Sequence, residues 1–339
     1  MTPTPSLDRW RALAREAGLD PRRGLWTWEP GAGELLLQPG PALDLAASHA
    51  EALSAAGLRW RALDPARASV RRVSVTRSSL RAAPSHAAEQ ISQLRLGDRF
   101  TAWHEADGGA WCFGAGDDGY PGWFRSWHLV DGPAATPPDR VVVARQAPAH
   151  AAAEGDALLL DLSFGTRLAA AGALRAGRQG WLLPDGREAW TPVDALAPWA
   201  PRTGGEGDGD ALRAELLRRG ERLLGLPYEW GGTSSAGLDC SGFVQLLAGS
   251  LGIALPRDAD LQARAGRALD PAAPASWRPG DLLFYGGSGD SGAGARVDHV
   301  GVLATGARLL HASGTSRLEA LGDGGALGNR LPVVAVTLL

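Results

Sequence analysis

The sequence predicts a multidomain chain: two small β-barrels, then a domain built around one helix start and one β-hairpin. Three observations predict it. The chain has 339 residues, more than one ordinary core accommodates. Residues 70–132 and 140–198 read as short strands separated by Gly- and Asp-containing turns. From residue 208 the pattern lengthens into amphipathic stretches, and a Gly-rich loop within them ends at a cysteine.

The elements follow in order. Leu7, Trp10, Leu13, Ala14 and Ala17 recur at helical spacing over residues 6–18. A strand at Glu34–Leu37 and an Ala-rich helix over Leu43–Ala56 follow, and residues 1–69 are expected to form an extension packed on the first barrel. That barrel, residues 70–132, takes strands from Val70–Thr76, Arg99–His104, Ala110–Phe113 and Gly122–Phe124. Trp103, Trp111, Trp123 and Trp127 supply apolar area that a domain of ~60 residues otherwise lacks. Cys112 alternates with Trp111 and reads as a packing residue. Pro133–Asp139 reads as a stiff linker. The second barrel, residues 139–200, has strands near Val141, Ala157, Gly180 and Ala189. Residues 201–210 read as a flexible linker. Ala211–Leu224 is an amphipathic helix opening the last domain, residues 208–339.

Composition narrows the function classes. A net charge of −3 gives no electrostatic case for nucleic acid or an anionic membrane. All basic residues are Arg, which reads as coding bias rather than function. No stretch approaches the ~20 apolar residues a bilayer crossing requires. The first residues hold no apolar run of the signal-peptide kind, so a cytoplasmic chain is expected. Two cysteines, Cys112 and Cys240, are expected as free thiols, because a protein of this size needs no staple. No Cys/His cluster has metal-ligand spacing, so no metal and no cofactor is expected.

The chemistry concentrates in two places. The loop from Gly225 to Asp239 ends at Cys240, and Val244, Leu246, Leu247 and Leu251 continue at roughly helical spacing to a stop at Gly252. A thiol at a helix N-terminus meets unpaired N–H groups and the positive end of the dipole, which favour the thiolate. The same N–H groups suit the oxyanion of an attacked carbonyl. Asp298–Leu303 and Ala307–His311 read as two strands joined by the turn Ala304-Thr305-Gly306, which brings His299 and His311 within reach of each other. One histidine then serves as base toward Cys240 and the other orients it.

These residues carry a resemblance. Asp239-Cys240-Ser241-Gly242-Phe243, preceded by Pro227-Tyr228-Glu229-Trp230-Gly231-Gly232, resembles the signature of the NlpC-type cysteine peptidases. Leu255–Asp258, Arg278–Phe284 and Asp298–Gly301 match further family segments in the same order. The resemblance covers roughly residues 208–339 and implies a papain-like α+β catalytic domain with Cys240 as nucleophile, His299 as base and His311 as third polar residue. It also implies that Tyr228 stabilises the oxyanion. The Gly119-Tyr120-Pro121-Gly122-Trp123 turn resembles a corner of bacterial SH3-like modules, and both barrels are expected to be SH3-like.

Within the family, the stretch Pro84–Gln93 followed by Leu96-Gly97-Asp98 resembles the YkfC-like γ-D-glutamyl-L-diamino acid endopeptidases. That likeness implies that Glu89 and Tyr120 bind a free amine, and that Asp239, Ser241 and Asp258 contact the dipeptide. Ala259 departs from the Ser that relatives often carry there. The implied reaction is hydrolysis of the γ-D-glutamyl-L-diamino acid bond of short muropeptides in murein recycling, by a monomer whose partner is the cell-wall peptide. Three alternatives stay open: a secreted wall hydrolase with SH3-like binding modules, another thiol chemistry on the same core, and a silent wall-peptide binding protein.

Overall fold

The computed structural model describes residues 5–23, 26–131, 136–202, 209–286, 296–322 and 325–339. The expected linkers at 133–139 and 201–210 lie partly outside the described residues. The chain forms two compact units, residues 1–73, 78–91 and 98–131 in one and 74–77, 92–97 and 132–339 in the other.

In the first unit, the Pro5–Glu16 helix covers a three-stranded sheet of Trp26–Glu29, Glu34–Leu37 and Arg59–Ala62. The third strand runs parallel to the second. A parallel return needs a crossover, and the helices Pro41–Ser48 and Ala50–Ala55 provide it. The sequence predicts one helix there. It breaks at His49, whose backbone leaves helical geometry (φ −116°, ψ 18°). Ser48 Oγ donates to the Leu45 carbonyl at 2.8 Å, the kind of side-chain competition that ends helices. Trp10, Leu35, Leu37 and Leu53 are fully buried between helices and sheet. Leu36 points to the other face and, with Leu63, joins Trp111, Phe113 and Trp123 of the following barrel in one core.

That barrel uses a seven-stranded sheet in the order Leu129–Val130, Ser69–Val73, Arg99–Ala106, Trp111–Ala115, Pro121–Arg125, Arg77–Arg81 and Gln90–Arg95. Two of these strands, Arg77–Arg81 and Gln90–Arg95, are not marked by the apolar pattern. The second buries Ser92 and Gln93, 2% and 3% exposed, beside Leu94, so polar side chains interrupt its apolar alternation. It starts in the first unit and ends in the second.

The second unit begins with a three-stranded and a four-stranded sheet over residues 140–198, closed around Val142, Ala147, Leu162, Trp181 and Ala189. After it comes a helix, Gly209–Glu221, and then a six-stranded antiparallel sheet flanked by the Cys240–Ser250 helix. The sheet order is Arg267–Leu269, Val334–Thr337, Leu282–Gly286, Val297–Ala304, Arg308–Ser313, Thr315–Ala320. Phe243, Val244 and Leu247 of the helix meet Val300, Val302 and Leu310 of the sheet in a core that also takes in Val141, Val143 and Phe164. This is an α+β arrangement with the Cys240–Ser250 helix packed on the strands Val297–Ala304 and Arg308–Ser313. Among the described residues no helix is long and apolar enough to cross a membrane.

Candidate active site

Cys240 is the first residue of its helix and is 8% exposed. Asp239 precedes it in extended geometry and caps the helix, its Oδ1 accepting from the Gly242 N–H at 2.7 Å. Its Oδ2 accepts from the Gly231 N–H at 2.9 Å, so one carboxylate ties the preceding loop to the helix start. Gly231 sits at φ 74°, which favours glycine. Gly242 is required by space, since a Cβ there would lie 2.0 Å from the Gly232 carbonyl oxygen.

The Asp239 charge is balanced by Arg257, a residue noted in the sequence only as part of a motif. Arg257 is 2% exposed and grips the carboxylate with both terminal nitrogens, at 3.0 and 2.5 Å. It also donates to Ser241 Oγ at 2.9 Å and Ser92 Oγ at 3.1 Å. The loop before the cysteine is held from the same side. Gln93 donates to Glu229 at 3.0 Å and accepts from the Thr233 N–H at 3.2 Å, and Ser163 Oγ lies 2.9 Å from Ser235 Oγ. The side chains of Asp239 and Ser241 are thus engaged in holding the nucleophile's loop and helix.

The histidines come from adjacent strands. Gly301 pairs with His311, which sets His299 and His311 diagonally on one face. His299 Nε2 is 2.7 Å from His311 Nδ1, with the rings perpendicular at 89°. His311, 0% exposed, places its Nε2 3.0 Å from Glu319 Oε1 on the next strand. Glu319 was not singled out in the sequence. The signal was the turn at Gly314, which folds Thr315–Ala320 back and pairs His311 with Arg317, two residues from Glu319.

The thiol accepts from the backbone N–H groups of Val300, next to His299, and Ser241. A helix start favours thiolate, yet burial outweighs it here: burial first, then the Asp239 charge, pushes the Cys240 thiol up to about 11. Burial, then His311 and Arg330, pushes His299 down to about 3. Burial lowers His311 as well, opposed by Glu319. Both shifts favour a neutral thiol and a neutral imidazole over an ion pair, against the thiolate expected from the helix start. Because the folded His299 binds a proton less readily than the unfolded one, its contribution leaves stability intact above about pH 6.5 and erodes it as pH falls toward 3.

Tyr228 is half-buried, and its N–H donates to the Gly314 carbonyl at 2.9 Å. Burial, then the neighbouring Cys240 and Asp239, push its phenol up to about 12, so it stays a hydrogen-bond donor at neutral pH. Asp258 is half-buried at the start of the Ala259–Gln262 turn of helix. Glu89 and Tyr120 lie in the first unit, exposed and half-buried respectively, whereas Cys240, His299 and His311 lie in the second. Cys112 is a free, buried thiol 3.2 Å from Ser126 Oγ. His104 and His128 bond Glu29 at 2.8 Å and Ser78 at 2.7 Å.

A cysteine at a helix start, with a histidine pair on neighbouring strands of an α+β core, is the constellation of a thiol hydrolase. Residues 225–321 match the NlpC/P60 family, and residues 80–129 match the bacterial dipeptidyl-peptidase SH3 domain. An NlpC/P60 domain thus lies in the C-terminal part of the chain, and a bacterial dipeptidyl-peptidase SH3 domain precedes it. The chain is 39% identical over 103 residues to the gamma-D-glutamyl-L-lysine dipeptidyl-peptidase of Bacillus subtilis, which covers 30% of this chain and 33% of that one. It is 32% identical over 114 residues to the peptidoglycan endopeptidase RipB of Mycobacterium tuberculosis, covering 30% of this chain and 43% of that one. The matched stretch therefore spans less than half the length of either relative. The crystal structure of an NlpC/P60 family protein from Bacillus cereus shares the fold over 80% of this chain and 100% of its own, with a TM-score of 0.67 at 23% identity.

Two measurements check this geometry. Arg257→Met leaves the Asp239 charge buried and unpaired, and urea denaturation should show a loss of about 3–5 kcal/mol; a loss under about 1 kcal/mol would mean that the pair does not hold the loop. In a Cys112→Ser background, alkylation of Cys240 by iodoacetamide should rise about tenfold per pH unit from pH 7 toward 10. A plateau across pH 5–9, as a thiolate–imidazolium pair gives, would contradict the neutral resting state.

Proposed function

We propose that this chain is a cysteine endopeptidase that cuts the γ-D-glutamyl-L-diamino acid bond of short muropeptides bearing a free N-terminal L-Ala. The observation that carries the reading is the His299–His311 contact at 2.7 Å beside a thiol at a helix start. A module that only bound wall peptides would need neither. The bond assigned here is named in the Bacillus subtilis relative, and the substrate end is suggested by the dipeptidyl-peptidase SH3 domain that contains Glu89 and Tyr120.

The reaction is acyl transfer through a thioester. Since Nε2 of His299 is engaged with His311, Nδ1 is the nitrogen left for Cys240. Nδ1 takes the thiol proton as sulfur attacks the γ-carbonyl carbon of D-Glu. The tetrahedral oxyanion is met by the Tyr228 phenol, protonated at neutral pH, and by N–H groups of the helix start. Collapse breaks the C–N bond, and the diamino acid leaves as an amine with the proton from His299. Water then gives a proton to His299 and attacks the thioester carbon. The C–S bond breaks, the sulfur recovers that proton, and L-Ala-D-Glu is released.

Glu89 and Tyr120 are proposed to bind the terminal ammonium, and Asp239, Ser241 and Asp258 the dipeptide. A carboxylate and a phenol suit a desolvated ammonium, and an acylated end would leave them unpaired. The 139–200 segment is proposed as a second SH3-like barrel, on the grounds of its three- and four-stranded sheets around one core. Murein peptide recycling in the cytoplasm, by a monomer, completes the proposal. It fits a substrate that is a small soluble peptide with its amine free.

The assay compares L-Ala-γ-D-Glu-diaminopimelate with its N-acetylated form. Hydrolysis of the free-amine peptide alone, reduced by at least about tenfold in kcat/KM by Glu89→Gln, is expected. Equal hydrolysis of both peptides would contradict the amine clamp and favour a hydrolase of intact wall.

A further inference from the structure

The proton chain behind Cys240 does not stop at His311. His299 Nε2 meets His311 Nδ1 at 2.7 Å, and His311 Nε2 meets Glu319 Oε1 at 3.0 Å. Two neutral imidazoles in series can carry their protons in either direction, because each has one N–H and one lone pair. In one direction His299 presents a lone pair at Nδ1 to the thiol. In the other it presents an N–H, which cannot accept a proton. Nothing in the two rings alone chooses between them.

We propose that Glu319 is a positioning residue that fixes the direction of this chain, so that His299 offers its Nδ1 lone pair to Cys240. An ionised carboxylate only accepts hydrogen bonds. Nε2 of His311 must then carry the proton, which leaves its Nδ1 bare. That bare nitrogen accepts from Nε2–H of His299, and the remaining nitrogen of His299 becomes the base. The rest of the Glu319 environment agrees. The Ala326 N–H donates to the same Oε1 at 3.0 Å, and the Arg317 guanidinium lies 3.8 Å from Oε2, so both oxygens face donors. A diagonal placement across adjacent strands brings Glu319 to the His311 face, since Arg317 pairs with His311 and Glu319 follows two residues on. Glu319 is part-buried at 17% side-chain exposure beside a fully buried His311, where an unmatched ring nitrogen would be costly. This assignment deepens the cysteine peptidase reading and rests on it for the role of His299.

The test reads tautomers directly and needs no substrate. Histidine 15N shifts of the whole chain at pH 8, assigned with His299→Gln and His311→Gln, should show Nε2–H on both rings and bare Nδ1. In Glu319→Ala the His311 preference should be lost, alkylation of Cys240 in a Cys112→Ser background should slow at least about tenfold, and kcat should fall with KM unchanged. A wrongly set tautomer costs about 10⁴ in kcat in the analogous serine triad. Glu319→Gln keeps an acceptor oxygen at Nε2, so it should retain the tautomer and lose less than the alanine variant. An Nδ1–H tautomer of His299 in the parent protein would overturn the proposal. So would equal losses in the two variants, or an alanine variant with unchanged tautomers and alkylation. Should the parent cleave no γ-D-glutamyl peptide, that would count against the substrate reading, while the tautomer and alkylation results would still decide the role of Glu319.

Discussion

The buried Arg257–Asp239 pair is the constraint on which the site depends. Asp239 has three tasks that no neutral residue performs together: it caps the helix that begins at Cys240, it holds the Gly231 N–H of the preceding loop, and it anchors Arg257. Burying a carboxylate without compensation is prohibitive, and a bidentate guanidinium is the geometry that offsets it. Arg257 in turn reaches Ser241 and Ser92, so the one cation fixes the helix start and an adjoining strand together. The cost appears at the thiol. A dry surrounding and a carboxylate next to Cys240 both disfavour thiolate, which favours a neutral pair.

That neutrality explains the construction of the histidine side. A thiol that is not ionised in advance needs a base whose lone pair is already aimed at it. Aim is set by what the far nitrogen meets. Here the far nitrogen meets a second, fully buried imidazole with a carboxylate behind it. Three consecutive antiparallel strands deliver the three groups in order, one from each.

Much of this was legible in the chain. Cys240 was marked by a Gly-rich loop giving way to helical periodicity, and the two histidines by a short turn between apolar runs. The parts that escaped have a common physical cause. Sequence pattern registers apolar alternation, and the Gln90–Arg95 strand buries polar side chains instead, satisfied by Arg257, Glu229 and Thr233. Glu319 escaped because an acidic residue in a strand reads as solvent-facing unless its partner across the ladder is known. The single helix expected over Leu43–Ala56 is two, Pro41–Ser48 and Ala50–Ala55, with a local side-chain bond of Ser48 competing at the break. The thiolate expectation is opposed for a different reason. The helix-end effect is worth about 1 kcal/mol in exposed settings, and the depth of burial that opposes it is a tertiary property.

The central claim is that Cys240 becomes acylated during turnover. Acid-quenching the protein while it acts on L-Ala-γ-D-Glu-diaminopimelate, then mapping its peptides by mass spectrometry, tests that most directly. The account predicts an L-Ala-D-Glu acyl adduct on the Cys240 peptide and none on the Cys112 peptide. Product accumulating with Cys240→Ala in place of the parent, or with no adduct at any time in the parent, would contradict it.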